Sequence, residues 1–513
     1  MPMERPTASA LAQIAAAYGF DVSPDDLQHY RVAADESMAA WDLVELLYAE
    51  HVPAAPDRTW THPSDDDNPL GAWYVQTEIQ ECNDGPLAGR RIVIKDNTSV
   101  AGVPMMNGSR MLEGFTPRED ATVVSRLLRA GAVIVGKSVC EDLCMSAGSH
   151  TSKTGPVRNP WDPSRSTGGS SSGSGVLVAT GEADMAVSGD QGGSIRIPAA
   201  CLGVVGHKPT WGLVPYTGAV PVELTLDHLG PTARTVTDAA QMLTVIAGTD
   251  GLDPRQPSFL EPTDYAGRLD EGVAGLRVGV VTEGFGHANS EPEVDETVRA
   301  AVGFLRSAGT VAEEVSIPWH LHAAALFSVI AFEGALAQLV DGNTFGSGWK
   351  GRYDPELMSY YGSRRQRDPA AFSESLHLTM LAGRHARNTA HGRHYAMARN
   401  LEPTLSAAYD DALRHYDVLV MPTSPIRATP LPGPGAEIPE ILARGTEMLA
   451  NTAAFNVTGH PACSVPAGMA GGLPVGMMII GRKFDDAAVL RVAHAFEAEV
   501  GGFQRWERTK DHA

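Results

Sequence analysis

Cysteine, positive charge and long apolar runs are all scarce in this chain. The five cysteines, Cys82, Cys140, Cys144, Cys201 and Cys463, are odd in number and scattered, which argues against a disulfide framework and fits a reducing cytoplasm. Nowhere do about 18 apolar residues run uninterrupted, and the opening MPMERPTASA has no basic region followed by an apolar one, so neither membrane insertion nor export is expected. Lys and Arg number 40 against 61 Asp and Glu. The resulting net charge of −21 repels phosphate backbones and anionic lipid, so neither nucleic acid nor a membrane is an expected partner. Cys140 and Cys144 could share a helix face as a metal pair, yet no nearby Cys or His cluster completes a tetrahedral site, and two buried thiols are expected instead.

A length of 513 residues with 43% hydrophobic content accommodates two or three domains, or one large core with insertions. Residues 7 to about 50 read as helical, with Leu11, Ile14 and Ala15 at helical spacing and Ser23-Pro24-Asp25-Asp26 as an N-cap followed by proline in the first turn. Trp41, Leu43, Val44, Leu46 and Leu47 give this segment more apolar surface than one contact needs, which predicts a homodimer or larger assembly through it. Pro53, Pro56, Pro63 and Pro69, with the acidic run Asp65-Asp66-Asp67, then mark a linker. Residues 1–70 are therefore expected to be a helical N-terminal domain and its linker.

From residue 71 strand and helix patterns alternate. Arg91-Ile92-Val93-Ile94-Lys95-Asp96-Asn97 is a β-branched run ending in polar groups, as in a core strand whose C-terminal end meets a ligand. A helix over 121–130, strands over 132–136, 276–281 and 310–315, and a helix over 294–308 continue the pattern. This predicts an α/β fold, a mixed or parallel sheet flanked by helices. Over 318–403 the strand signal gives way to alanine-rich helical sequence, expected as a helical insertion between two parts of the large domain, 71–317 and 404–513. That insertion carries His320, His322, His377, His385, His391 and His394. Only His391 and His394 share a helix face and no carboxylate completes a metallohydrolase motif, so surface or cap histidines are expected, not a metal. A strand over 417–423, another closing the sheet at 477–481 and a last helix over 485–500 complete the chain.

The most informative stretch is Ser166 to Ala200. It holds two glycine-rich turns, Gly168 to Gly175 and Gly189 to Gly193, separated by an apolar run and by 183–187, which reads as a short buried strand. Glycine runs beside a strand let several backbone N–H groups converge on one point, as an oxyanion or phosphate requires. A flexible linker would lack Val176, Leu177, Val178, Met185 and Val187, and a phosphate loop would need a Gly-Lys-Ser/Thr ending that is absent.

Gly168-Gly169-Ser170-Ser171 followed by Gly189-Asp190-Gln191-Gly192-Gly193-Ser194-Ile195-Arg196-Ile197-Pro198-Ala199 closely resembles the amidase signature family, whose members hydrolyse amides with a Ser-Ser-Lys triad. Gly206-His207-Lys208-Pro209-Thr210, Leu229-Gly230-Pro231, Asn456 to Ala462 and Gly472 to Gly476 resemble further landmarks, so the likeness spans about residues 70–500. The resemblance implies that Ser194 is the nucleophile and that Lys95 is its base through Ser170. It also implies a cis peptide around Ser170, at a bond the sequence does not identify.

Amide hydrolysis needs a nucleophile, a base, an acid for the leaving nitrogen and donors for the oxyanion. The N–H groups of Gln191, Gly192, Gly193 and Ser194 can supply those donors. A lysine acts as base near neutrality only when burial or a neighbouring cation lowers its pKa from about 10.4. Asp190 and Arg196 are expected to brace the loop. Cys144 and Met145 resemble positions near the nucleophile in relatives and would favour an uncharged acyl part. No metal or organic cofactor is expected.

Ser172 replaces a usual glycine, and Gln191 stands where threonine is usual. The Gly-Asp-Gln-Gly-Gly-Ser run, the helical N-terminus and the helical insertion look like the aliphatic and aromatic amidases that accompany nitrile hydratases. Two other enzymes fit parts of the sequence. The glutamine-hydrolysing component of a tRNA-dependent amidotransferase would make ammonia from glutamine and would need partner chains. Gly169-Ser170-Ser171-Ser172-Gly173 matches Gly-x-Ser-x-Gly, which would make Ser171 the nucleophile of a Ser-His-Asp hydrolase. A non-catalytic binding protein is disfavoured because all three triad positions are filled.

Overall fold

The computed structural model describes residues 3–503. The last residues of the segment expected over 404–513 lie outside them. The chain forms two compact units, one ending at Ala55 and the other beginning at Pro56.

The first unit is a pair of helices, Ala8–Tyr18 and Pro24–His51. Thr7 caps the first by accepting the Ala10 N–H, and Gly19 ends it in the left-handed conformation at φ 81°. Ser23 caps the second, with Pro24 in its first turn as the sequence indicates. Trp41, Leu43, Val44, Leu46 and Leu47 are all exposed, and no residue of the second helix is buried.

The second unit is built on a mixed sheet of twelve strands. They are β1 (Trp60–Thr61), β2 (Trp73–Ile79), β3 (Arg91–Lys95), β4 (Val133–Ser138), β5 (Met185–Asp190), β6 (Val205–Lys208), β7 (His228–Ala233), β8 (Arg277–Val281), β9 (Val311–Val315), β10 (Val418–Pro422), β11 (Ala462–Ala470) and β12 (Leu473–Ile480). Their spatial order is β1-β2-β4-β3-β5-β7-β6-β11-β12-β10-β8-β9. β3 runs parallel to both β4 and β5, and β5 runs antiparallel to β7. Central strands such as Ile92-Val93-Ile94 and Met477 to Ile480 are wholly buried, as expected for a sheet covered by helices on both faces. The α/β fold expected from the alternating pattern is the fold observed.

Several boundaries differ from expectation, each for a packing reason. The domain boundary falls at 55/56, not near 70, because the linker joins the second unit. Arg58 pairs with Asp120 at 2.7 Å, and Trp60 and Thr61 add a strand to β2. The segments 71–317, 318–403 and 404–503 share that one unit. The strand expected at 183–187 is Met185–Asp190, since β7 continues the ladder through Ser188, Gly189 and Asp190 beyond the apolar run. The helical segment does not stop at Pro403, which lies inside helix Arg393–Leu413, whose Leu405, Ser406 and Tyr409 are held in the core. His320 is neither a surface nor a cap residue. It is buried, its ring bonded to the Tyr409 hydroxyl at 2.6 Å and to Asn451 Oδ1 at 2.9 Å. Among the described residues one helical run, Pro318–Asp341, is long and apolar enough to cross a membrane, but half of its apolar window is buried within the protein.

Candidate active site

The apolar run of β3 carries Lys95 to the end of a central strand, where its side chain has no exposed surface. Register with β5 sets Ile94 opposite Val187. Lys95 Nζ then reaches the Ser170 hydroxyl at 2.8 Å and the Gly189 carbonyl at 3.2 Å.

Ser170 sits in a tight loop whose Gly169–Ser170 peptide is cis. A Cβ at Gly169 would lie 2.0 Å from the Gly148 carbonyl, so only glycine fits there. The Gly169 N–H donates to Ala147 O at 2.6 Å, and the Glu141 N–H to Ser170 O at 3.3 Å. Ser172, which replaces a glycine of the usual signature, donates its hydroxyl to Glu141 Oε1 at 2.9 Å. The other Glu141 oxygen accepts from the Thr151 N–H and hydroxyl, both at 2.7 Å. Burial lifts the Glu141 carboxyl to about 7 against the pull of these hydrogen bonds.

Residues 191–194 form the turn between β5 and helix Arg196–Leu202. Their N–H groups donate to no acceptor among the described residues, which leaves four donors available in one loop. Gly193 has φ 145°, and a Cβ there would lie 2.4 Å from Thr452 Oγ1. That threonine hydroxyl fixes the loop by donating to Gly192 O at 2.7 Å. Ser194 is 6% exposed and its hydroxyl makes no hydrogen bond among the described residues, so the structure joins Lys95 to Ser170 but not Ser194 to either.

The expected brace is present. Arg196 meets Asp190 in a bidentate pair, Nε to Oδ2 and Nη2 to Oδ1, each 3.0 Å, with both side chains fully buried. Asp190 Oδ2 also accepts the Ile195 N–H, and Asn456 bonds to both partners. Burial pushes the Asp190 carboxyl up, but Arg196 and Lys208 overcome it and hold it well below the usual carboxylate range.

Of the other expected site residues, Cys144 is buried and donates to Asn107 Oδ1 at 3.4 Å, as Cys140 does at 3.3 Å. Both are free thiols. Burial raises a thiol's pKa, yet the Cys140 hydrogen bond and the Lys95 charge draw that of Cys144 down. Met145 is partly buried against the same apolar cluster. Ser171 gives its hydroxyl to Gly189 O at 2.9 Å and has no histidine partner among the described residues, which counts against the Ser-His-Asp arrangement.

Several residues at the site were not foreseen. Tyr216 holds the Gln191 side chain at 3.0 Å, Thr452 and Asn456 reach in from the far end of the chain, and a Cβ at Gly192 would strike the Phe327 ring at 2.6 Å. Phe327 lies in helix Ala323–Ala335, so the helical segment supplies part of the site wall. No spacing in the sequence signals these contacts.

The chain is similar to known proteins over most of its length. The family model described as Amidase matches residues 68–490. The chain is 52% identical to an enantioselective amidase of Rhodococcus rhodochrous, covering 97% of this chain and 96% of that one. It is 39% identical to the A component of the glutamyl-tRNA(Gln) amidotransferase of Exiguobacterium sibiricum, covering 83% and 87%. In structure it is similar to the peptide amidase of Stenotrophomonas maltophilia, with a TM-score of 0.67, 31% identity and coverage of 82% and 84%. The family match over most of the chain and the nearly full-length relative together show that the chain belongs to the Amidase family.

Proposed function

We propose that this enzyme hydrolyses a small carboxamide to the carboxylate and ammonia or an amine through an acyl-enzyme on Ser194. The contact that carries the reading is Lys95 Nζ to Ser170 Oγ at 2.8 Å, next to a loop of unused amides that ends at Ser194. Ser194 Oγ attacks the amide carbonyl as its proton passes to Ser170, whose own proton passes to Lys95. The oxyanion is held by the N–H groups of Gln191, Gly192, Gly193 and Ser194, each such donor being worth about 2.7–4 kcal/mol of barrier. The proton returns through Ser170 to the leaving nitrogen, and water then attacks the acyl carbonyl by the same relay. Cys144 and Met145 border the acyl part.

A glutamine-hydrolysing amidotransferase component is less well supported. The relative of that kind matches 83% of the chain, against 97% for the enantioselective amidase. Release of ammonia by the purified chain from a panel of aliphatic, aromatic, anilide and amino-acid amides tests the proposal. Activity should need neither a partner chain nor an added cofactor, and should vanish in Ser194→Ala.

The five free thiols support work in a reducing cytoplasm, and the net charge of −21 supports a small neutral substrate over nucleic acid or membrane. The exposed apolar residues of helix Pro24–His51 support a homodimer formed through that helix.

A further inference from the structure

Gln191 carries a hydrogen-bond acceptor that the resting chain does not use. The residue is 5% exposed, its Nε2 donates to the Tyr216 hydroxyl at 3.0 Å, and its Oε1 is buried with no partner among the described residues. The surrounding network fixes which end of the carboxamide is which. Tyr216 has one hydroxyl proton and gives it to the Val220 carbonyl at 3.3 Å, an oxygen that no other described donor reaches. Asn97 Nδ2 approaches the same hydroxyl at 3.4 Å. Both amides therefore turn their NH2 groups to Tyr216, and reversing Gln191 would orphan the Val220 carbonyl. A buried acceptor left unmade costs about 1–3 kcal/mol, and native proteins keep few of them.

The position of this carboxamide indicates its use. Gln191 begins the run of free amides, and its side chain lies beside Lys95 and Asn97. A Cβ built on Gly189 would be 3.3 Å from Gln191 Nε2, 3.2 Å from Asn97 Nδ2 and 3.5 Å from Lys95 Nζ. In a bound amide the carbonyl oxygen occupies the backbone donors, so the hydrogens left at the reacting centre are those on the leaving nitrogen.

We infer that Gln191 Oε1 accepts a hydrogen bond from the leaving N–H of the substrate, which makes Gln191 the residue that favours N–H amides over oxygen esters of the same acid. The inference rests on the serine-hydrolase reading. An ester brings no hydrogen to this acceptor and leaves it unpaired in the complex. Sites built around such a bond discriminate strongly against analogues that lack the donor.

The test compares kcat/KM for benzamide and methyl benzoate in the full chain, or for propanamide and methyl propanoate if aliphatic acids are preferred. Gln191→Met keeps the length of the side chain without the acceptor. It should lower the amide-to-ester ratio about ten- to hundred-fold. Tyr216→Phe, which loosens the carboxamide without removing it, should lower the ratio less. Equal losses on both substrates, or no loss, would overturn the inference, and if Gln191→Met does not fold, an unchanged ratio in Tyr216→Phe does so. Ser194→Ala should abolish both rates. Turnover surviving in it would overturn the serine-hydrolase reading and this inference with it, an outcome separate from any change in the ratio.

Discussion

Lys95 and Ser170 are 75 residues apart in the chain, yet Nζ and Oγ are 2.8 Å apart in a site with no exposed lysine surface. The β3 register delivers the amine and the glycine loop delivers the hydroxyl. The hydrogen-bond partners of Lys95 among the described residues are a hydroxyl and a backbone carbonyl, not a carboxylate.

Replacing Lys95 by Ala should lower kcat/KM by about 100- to 10,000-fold, the usual worth of a positioned acid or base. Circular dichroism should show the fold retained. Lys95→Arg should not rescue, since guanidinium keeps its proton to about pH 12 or above and cannot accept another. Near wild-type activity in Lys95→Ala would mean that another group activates the serine.

The three serines should separate by role. Ser194→Ala should remove acyl-enzyme formation, detected as loss of any covalent adduct by mass spectrometry with a slow substrate. Ser170→Ala should lose activity but keep a residual rate, because Ser194 and the oxyanion donors remain. Ser171→Ala should retain the covalent adduct. Adduct on Ser171 in the wild-type protein would instead revive the nucleophile-elbow assignment.

Arg196→Met should destabilise the protein by about 3–5 kcal/mol, because it leaves the Asp190 carboxylate buried and unpaired. Chemical denaturation at neutral pH measures this. The sign with pH follows from the lowered Asp190 pKa. In the wild type its contribution is complete above the ordinary value of 3.8 and is lost as pH falls further, whereas Arg196→Met should lack that acid-sensitive component.

Glu141 should act in the opposite sense. Its carboxyl is raised from 4.5 to about 7 by burial, so the folded chain holds this proton more tightly than the unfolded one. Its contribution is present below about pH 4.5 and is lost as pH rises to about 7, by up to about 3 kcal/mol. Glu141→Gln should flatten that part of a stability-against-pH curve. An unchanged curve would show that the carboxyl titrates in its ordinary range.

Light scattering at micromolar concentration should find a dimer. Trp41 and Val44 lie on the exposed apolar surface of helix Pro24–His51, and replacing both by serine should yield monomer while preserving the Lys95–Ser170 site. A wild-type monomer would contradict the assembly.

The sequence by itself determined the elements and the residues that the proposed reaction uses. β-branched runs form central strands because they fill a sheet buried on both faces, Ser23 and Pro24 start a helix by local hydrogen bonding and fixed φ, and the glycines within 168–175 and 189–193 mark backbone that must approach closely, although Ser172 to Gly175 open a helix and Gly189 lies at the end of a strand. These are local properties, whereas Lys95, Ser170 and Ser194 were singled out by the resemblance of their surrounding motifs to the amidase signature family. Tertiary structure alone decided what surrounds them. Tyr216 anchoring Gln191, Thr452 holding Gly192, Phe327 covering that glycine and Glu141 under the serine loop are contacts between elements far apart in the chain. Their residue types carry no local signature, because any buried tyrosine or threonine would look the same. The same reason explains His320, which a helical pattern leaves on a surface and which Tyr409 and Asn451 hold in the core. Burial depends on what packs opposite, and only the assembled sheet and helices specify that.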